Sequence, residues 1–416
     1  MRQQLIRHSP FVALMAGGAG LGIVRLLTLA IILSAGDYGI YSIVVAATMF
    51  LSSMPGLGLI EDTRKKFPRL YADGHAADIV PQADYVTRLV GFRTAISGGA
   101  AIVITLLLGA YTWAIMIAAS TALAFGIAWS SILASALRAG ASPFPLALTS
   151  FIRAVITLIV TIGASFEFGL TGALCGEAIG AVIGGIAMRM ALQKIHSSPR
   201  KRSNLDQPSQ ASRAGMLVFL GILFVNAPTY LNRPVAALSM SPAEVGTLSL
   251  LLVLVGVLQT TIGIFDQITG PRLIHWQHSG VALEIQKRRF FVLIGALTLF
   301  CAGTFGLIWG VVSLPWIAPL VEKYTLSAGM MVPATVLAAL SITTSADWML
   351  QAHDREQIIT TAAVANLAIF GLLTLLVALG NIGILVYLWG LAAAKLCQLI
   401  IQLTVIARLP SPEEAH

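Results

Sequence analysis

Charged residues are scarce in this sequence. Asp, Glu, Lys and Arg make up 11% of its 416 residues, whereas 57% of the residues are hydrophobic. Apolar runs of about 18–24 residues recur from one end of the chain to the other, and a helix of this length crosses the hydrocarbon core of a bilayer. The composition therefore excludes a soluble domain and predicts an all-α polytopic membrane protein.

Sequence motifs of soluble enzymes are also missing. The chain contains no phosphate-binding GxxxxGK, no HExxH and no CxxC motif. Its three cysteines, Cys175, Cys301 and Cys397, lie inside apolar runs, which indicates neither a disulfide framework nor a metal site. We therefore expect no cofactor, no catalytic residues and no ATP-driven motor within this chain.

The apolar runs predict about twelve transmembrane helices in two six-helix lobes. The N-terminal lobe covers residues 1–195, the C-terminal lobe covers residues 214–416, and the polar, basic segment 196–213 is a cytoplasmic linker between them. Residues 78–92 are amphipathic and are expected to lie along the membrane surface before the third span. The predicted spans are 11–33, 40–60, 94–110, 113–135, 146–164, 170–188, 215–238, 245–268, 290–312, 327–349, 358–379 and 382–406.

The positions of the basic residues support this count. Predicted loops on the side of the N-terminus hold 21 of the 26 Lys and Arg residues, whereas the opposite loops hold only Lys323. Cytoplasmic loops carry the excess of positive charge in helical membrane proteins, so both termini are expected in the cytoplasm. The same segregation argues against a nucleic-acid partner, which the net charge of +8 would otherwise suggest.

The two halves resemble each other in sequence. VRLLTLAIILSAGDYGIYSI in the first half aligns with NRPVAALSMSPAEVGTLSL in the second, which places Arg25 beside Arg233. Asp37 then lies near Glu244. A repeat of six spans keeps the same orientation, which implies a pseudo-twofold axis along the membrane normal and a site between the lobes.

Ionisable residues inside the predicted spans are candidate site residues, because such side chains usually face a bundle interior or a water-filled cavity. Arg25 lies deep in the first span, where an arginine is unfavourable by roughly 3 kcal/mol on insertion scales. Arg233 lies on a polar face of the seventh span, which Pro228 and Pro234 interrupt. We assign Arg25 and Arg233 to a substrate cavity, with snorkelling toward the outer surface as the alternative for Arg233. The residues that share this polar face are Asn226, Thr229 and Tyr230, and we assign Asn226 and Tyr230 to the substrate cavity as well.

Three further membrane-embedded charges form smaller patterns. Lys395 shares a stripe with Gln398 and Gln402 along the last span. We assign Lys395 and Gln398 to the substrate cavity, with an interhelical hydrogen bond as the alternative. Arg153 and Glu177 lie at similar depths on consecutive antiparallel spans, which predicts a structural ion pair.

Two carboxylates, Asp266 and Asp347, lie within a turn of predicted cytoplasmic helix ends. A solvated position at the helix end is the expectation for each of them. A role in proton coupling is the alternative.

The first seventy residues carry a family resemblance. A span containing an Arg leads into RLL…LSAGDYGIYS, and the second span ends in GLGLIEDTRKKFPRLYADG. This stretch resembles the start of the polysaccharide flippases of the multidrug/oligosaccharidyl-lipid/polysaccharide exporter superfamily, in which a span rich in Arg and Leu precedes a (D/E)xxGxYs turn. The second half keeps only SPAEVG at the equivalent place. The matching turn residues in the first half are Asp37, Tyr38, Gly39, Tyr41 and Ser42.

The resemblance implies two lobes around a central cavity that opens to one side of the membrane at a time. It also implies a flippase for a polyprenyl-diphosphate-linked oligosaccharide repeat unit, located in the bacterial inner membrane and serving O-antigen, capsule or exopolysaccharide synthesis. Membrane lipids, a polysaccharide polymerase and chain-length proteins are the other expected partners. A diphosphate pairs with Arg in fork geometry, and Arg25 matches the family's pattern of a cationic first span.

Two other functions compete with this one. A drug or cation extruder of the same superfamily needs acidic residues in its cavity, whereas the first span offers only Arg25. A polysaccharide polymerase or ligase needs a large exterior loop with acid and base groups. The longest predicted exterior loop offers only Glu322 and Lys323.

Overall fold

A computed structural model describes residues 2–139, 144–195, 213–278, 281–312, 318–380 and 382–409. Nearly all of the predicted linker lies outside the described residues. The described residues fold into helices joined by short turns. The α-helices are α1 (Arg2–Ile32), α2 (Ala35–Leu51), α3 (Leu59–Ala72), α4 (Ile79–Leu107), α5 (Tyr111–Ala139), α6 (Phe144–Ile195), α7 (Arg213–Tyr230), α8 (Asn232–Ala236), α9 (Pro242–His278), α10 (Leu283–Val312), α11 (Ala318–Lys323), α12 (Ala328–Ala339), α13 (Thr343–Ala352), α14 (Glu356–Leu379) and α15 (Ile384–Ala407).

The all-α polytopic fold is confirmed, and each predicted span overlaps one or two of these helices. Within the described residues, nine helical segments are long and apolar enough to cross a membrane. One of them is the 52-residue α6, which is two helices joined at Gly169, where φ is 56° and ψ is −132°. This positive φ suits glycine and turns the chain back, so α6 accounts for the predicted spans 146–164 and 170–188. Helices α7 and α10 occupy the places of the seventh and ninth spans.

The chain separates into two compact units, Met1–Asn226 and Ala227–His416. The division falls inside α7, which begins the second half of the sequence. The predicted lobes, by contrast, are separated at the linker before α7. Each unit has its own buried core of apolar side chains, as expected for a helical bundle.

The second span ends at an irregular turn that contains Pro55 and two neighbouring glycines. Helix α2 ends at Leu51 and a 3₁₀ turn covers Met54–Gly56. Leu57 and Gly58 then have φ values of 43° and 86°. Only glycine takes the second of these without strain, and it redirects the chain into α3.

Helix α3 is the amphipathic element of the segment between the second and third predicted spans. Its apolar side chains Leu59, Ile60, Phe67 and Leu70 are buried in a cluster with residues of α4 and α5. The prediction for residues 78–92 is wrong, because this stretch is the first part of α4 and continues without a break into the third span. Its buried face, which includes Val86 and Val90, follows the helical period of a packed helix.

The aligned turns of the two halves have the same capping arrangement. Ser34 precedes α2. Its hydroxyl accepts a hydrogen bond from the Asp37 backbone N at 3.1 Å and donates one to Asp37 Oδ2 at 2.7 Å. Ser241 precedes α9, and its backbone N and its hydroxyl both donate to Glu244 Oε2 at 2.8 Å. In both turns the serine hydroxyl caps the helix start, and at Ser241 the Glu244 carboxylate also accepts from the serine backbone N, which completes a capping box. The acidic residues of SAGD and SPAE therefore share a structural role.

Candidate functional site

Arg25 is paired with a carboxylate inside the first unit. Its Nε lies 3.0 Å from Glu177 Oε1, and the two side chains are 15% and 6% exposed. The predicted pair of Arg153 with Glu177 is therefore wrong, because Glu177 in the second half of α6 is taken by Arg25 of α1. The Nε lacks hydrogen-bond geometry toward the oxygen, so the contact is electrostatic. This pairing offsets the unfavourable burial of the Arg25 charge.

Tyr41 holds the same carboxylate from α2. Its hydroxyl donates a buried hydrogen bond to Glu177 Oε1. Its ring stacks on Tyr38 at a centroid distance of 6.1 Å, and both tyrosines are 1% exposed. The capped turn at Ser34 sets the start of α2, and about two helical turns later the chain presents Tyr41 to Glu177. Tyr41 is not among the predicted site residues, although a hydroxyl buried in an apolar span requires a partner.

A glycine ladder fixes the two halves of α6 against each other. A Cβ built at Gly176 would lie 2.5 Å from Thr161 Cα, and one at Gly180 would lie 2.7 Å from Thr157 Cα. Small residues at four-residue spacing allow this close backbone approach in membrane helices. The four-residue spacing of these glycines is visible in the sequence GALCGEAIGAVIG. The ladder consists of Gly172, Gly176, Gly180 and Gly184.

Arg153 packs against Gly184, the last glycine of this ladder. A Cβ at Gly184 would collide with the aliphatic stem of Arg153, so the absence of a side chain at Gly184 makes room for this arginine. Arg153 is repelled by the charge of Arg25 and attracted by that of Glu177. Arg153 therefore adds a second positive charge near the Arg25–Glu177 pair, within the membrane-spanning part of the first unit. The three residues form a cluster with a net positive charge, which we call the α1/α6 cluster.

The polar face of the seventh span is only partly sheltered. Asn226, Tyr230 and Arg233 are partly buried, whereas Thr229 is exposed. The predicted break is present, since α7 ends at Tyr230 and the short α8 begins at Asn232.

Within the second unit, Tyr387 of α15 lies beside this break. Its hydroxyl donates a hydrogen bond to the Asn232 carbonyl at 2.6 Å. The positive charge of Arg233 is close enough to interact electrostatically with the Tyr387 hydroxyl. Tyr387 supports the backbone at the point where the proline residues interrupt the helix.

The stripe on the last span faces inward, as predicted. Gln398 is 4% exposed and Gln402 is fully buried. Lys395 Nζ donates to Gln398 Oε1 at 3.2 Å, and Asn366 Nδ2 of α14 donates to the same oxygen at 2.8 Å. The bond between Asn366 and Gln398 joins α14 to α15, whereas Lys395 and Gln398 lie on the same helix, so the interhelical hydrogen bond expected as the alternative for Lys395 is made by Gln398. Asp347 completes the group by accepting from Gln402 Nε2 at 2.6 Å.

Asp266 is not a solvated residue at a helix end. Helix α9 continues to His278, and Asp266 is 3% exposed with a hydrogen bond from the Ser345 hydroxyl. Asp347 is attracted by Lys395 and repelled by Asp266, so the three charges form one group in the second unit. Two of its buried acceptor atoms, Asp266 Oδ2 and Gln402 Oε1, lack hydrogen-bond partners in the described structure. We call this the α13/α15 network.

Neither group resembles a metal centre. Among the described residues, no three His, Cys, Asp or Glu side chains are grouped to hold a metal ion. The three cysteines are unpaired thiols.

Comparison with solved structures identifies the fold. The chain is similar to the lipid II flippase MurJ in an inward closed conformation, with 14% identity over 96% of this chain and 88% of that chain and a TM-score of 0.71. It has the fold of the MOP-superfamily transporters. This is a twelve-helix, two-lobe fold, and at such low identity the likeness establishes the fold alone.

Two further structures share this fold. One is an outward-facing multidrug resistance MATE family transporter, with 14% identity over 96% of this chain and 95% of that chain and a TM-score of 0.61. The other is a MOP superfamily transporter from Pyrococcus furiosus, described as having a binding pocket of reverse polarity, with the same identity and coverage and a TM-score of 0.52. No family model matches the sequence, and no curated protein matches it significantly.

Proposed function

We propose that this protein is a flippase that moves a lipid diphosphate-linked oligosaccharide repeat unit across the bacterial inner membrane by alternating access. The observation that carries the proposal is the α1/α6 cluster, in which Glu177 pairs with Arg25 and the charge of Arg153 lies near this pair, so that one carboxylate faces two arginine charges. An excess positive charge inside a membrane-spanning region is unfavourable unless an anion completes it. A diphosphate supplies this charge and matches the planar donor geometry of arginine.

The fold supports this proposal. A lipid II flippase has this fold, so the architecture is compatible with moving a lipid-linked substrate. A MOP superfamily transporter with a pocket of reverse polarity has this fold as well, so the fold accommodates binding pockets of different polarity. In the proposed cycle the two lobes, 1–195 and 214–416, rock about the linker, with both termini in the cytoplasm. The product would pass to a polymerase and chain-length proteins on the outer face.

A binding experiment tests the proposal directly. Purified protein in nanodiscs is titrated with a polyprenyl-diphosphate oligosaccharide and, separately, with a lipophilic cation. We expect the anionic lipid to bind and the Arg25→Ala and Arg153→Ala substitutions each to weaken binding by about tenfold or more, the loss typical for one charge-assisted contact. Arg355→Ala, which removes an exposed arginine, is the control and should leave binding unchanged. Absence of binding to the wild-type protein would overturn the proposal.

The α13/α15 network favours a second candidate function. Asp266 and Asp347 place two carboxylates in membrane helices of the second unit, and a multidrug transporter shares the fold. Carboxylates of this kind could hold a cationic substrate in an extruder. Binding of the lipophilic cation alone, with loss of binding in an Asp347→Asn protein, would select this function over the flippase.

A further inference from the structure

Glu177 is the carboxylate on which the α1/α6 cluster converges. Its Oε1 lies 3.0 Å from Arg25 Nε and accepts the hydrogen bond of Tyr41. The Arg25 and Glu177 side chains are 15% and 6% exposed, so water screens the attraction between them only weakly. In the structure, Glu177 therefore provides the negative charge that Arg25 needs.

The backbone around Glu177 is held in place. Gly176 packs against Thr161 and Gly180 against Thr157, with backbone atoms too close for a Cβ on either glycine. The neighbouring carboxylate therefore projects from a tightly packed helix pair, and Tyr41 restrains its far end. Any group that approaches Arg25 meets a carboxylate that the packing keeps beside it.

We propose that Glu177 is an internal counter-anion that competes with the phosphate groups of the substrate for Arg25. The inference rests on the proposed function, because it assigns the competing ligand as a lipid diphosphate. When the site is empty, Glu177 neutralises Arg25. When the diphosphate binds, it contacts an arginine already shared with Glu177 and lies near a like charge, so its affinity is lowered.

This competition serves a transporter in two ways. A buried arginine without a counter-anion would destabilise the empty protein, since removing one partner of a buried ion pair leaves an uncompensated charge. A diphosphate bound to two unopposed arginines would leave slowly, because charge-assisted contacts mainly lower dissociation rates. Glu177 stabilises the empty site and limits the affinity of the filled one. It is a positioning residue for Arg25 that also determines how tightly an anion binds.

The test compares polyprenyl diphosphate binding to the wild-type, Glu177→Gln and Glu167→Gln proteins. Gln keeps the size of the side chain and an oxygen that accepts from Tyr41, so the substitution removes mainly the charge. Glu167 is exposed on the same helix and provides a matched control. We expect Glu177→Gln to tighten binding by about fivefold or more, within the usual range of coupling between sites, and Glu167→Gln to leave it unchanged. The melting temperature of the empty Glu177→Gln protein should fall, and diphosphate should raise it more than in the wild type.

A double-mutant comparison separates competition from a general change in charge. In an Arg25→Ala background, Glu177→Gln should tighten binding much less, because the contested cation is absent. Equal tightening in both backgrounds would overturn the proposal. If Glu177→Gln does not fold, Glu177→Asp withdraws the carboxylate from Arg25 while keeping its charge, and binding should still tighten.

The outcomes distinguish this inference from the proposed function. If the wild type binds no polyprenyl diphosphate, the proposed function fails. If the wild type binds and Glu177→Gln binds equally or more weakly, the flippase proposal stands and the competition is refuted. Weaker binding in that case would show that Glu177 orients Arg25 for the substrate.

Discussion

At the scale of single residues, Arg25 depends on two side chains from elsewhere in the sequence. Glu177 supplies the opposite charge and Tyr41 holds the carboxylate that supplies it. Removing one partner of a buried ion pair is destabilising by about 3–5 kcal/mol, whereas exposed pairs contribute little. Tyr41 therefore affects the stability of an arginine that it does not itself neutralise.

Tyr41→Phe should destabilise the protein. The substitution deletes the buried hydrogen bond to Glu177, and a hydrogen bond to a charged group is worth about 1.5–3 kcal/mol. The expected result is a lower melting temperature in detergent, measured by thermal unfolding. Tyr111→Phe is the control, because Tyr111 is 69% exposed and its hydroxyl can be replaced with little effect. Equal melting temperatures for both variants would show that the contact with Glu177 contributes nothing.

At the scale of elements, the α6 hairpin is built on backbone contact between its two halves. The glycine ladder lets the halves approach until Thr157 and Thr161 touch the opposite backbone. Membrane helices lack a hydrophobic force between them, so this close packing is what holds the hairpin together. The ladder also fixes the register that places Glu177 beside α1 and α2.

Gly180→Ala should open this hairpin. The new Cβ would lie 2.7 Å from Thr157 Cα, and relieving such a clash costs about 1–3 kcal/mol. Gly163→Ala in the same helix meets no atom within 4 Å and should stabilise by up to about 1 kcal/mol through helix propensity. Thermal unfolding of the two variants checks the difference. A Gly180→Ala protein as stable as the Gly163→Ala protein would contradict the close packing.

Helix α3 carries a buried carboxylate outside the membrane spans. Glu61 is 4% exposed, and burial raises the pKa of its carboxyl group above the usual range. The folded state therefore binds the proton more tightly than the unfolded state does, so stability should fall as the pH rises from the usual glutamate pKa through the raised one. Glu61→Gln should reduce this pH dependence, as measured by melting temperatures across the acidic to neutral range. An unchanged slope would show that Glu61 titrates normally.

At the scale of the whole molecule, the two units carry different charge groups in their membrane helices. The first unit holds the net positive α1/α6 cluster, and the second holds the α13/α15 network with two carboxylates and Lys395. In the proposed transport cycle, the first group binds the anion. We propose that in this cycle the carboxylates of the second group take up a proton or small cation drawn from a gradient.

Asp347→Asn should uncouple transport from a gradient. In proteoliposomes with an imposed pH gradient, we expect gradient-driven movement of the lipid to fall by about fivefold or more, with binding of polyprenyl diphosphate retained. Asp354→Asn is the control, since Asp354 is an exposed carboxylate in the same unit and lies outside the spans. Full gradient-driven transport by the Asp347→Asn protein would assign Asp347 a structural role only.

Sequence reasoning predicted most of the fold and only some of the site. The spans, the break near Pro228 and the inward stripe of Gln398 and Gln402 follow from hydropathy and helical period. The partner of Glu177 did not follow, because depth along a helix does not determine its rotation. Asp266 was misplaced because α9 continues beyond its apolar part.

The sequence by itself determined that this chain is a bundle of membrane-spanning helices, because long apolar segments can satisfy their backbone polar groups in a bilayer only as helices. It also determined the capped turns at Ser34 and Ser241, which depend on neighbouring residues alone. Only the tertiary structure decided which charges meet. Pairing between α1, α2 and α6 depends on helix rotation and on the approach that the glycine ladder permits, and these are set by packing across more than a hundred residues of chain.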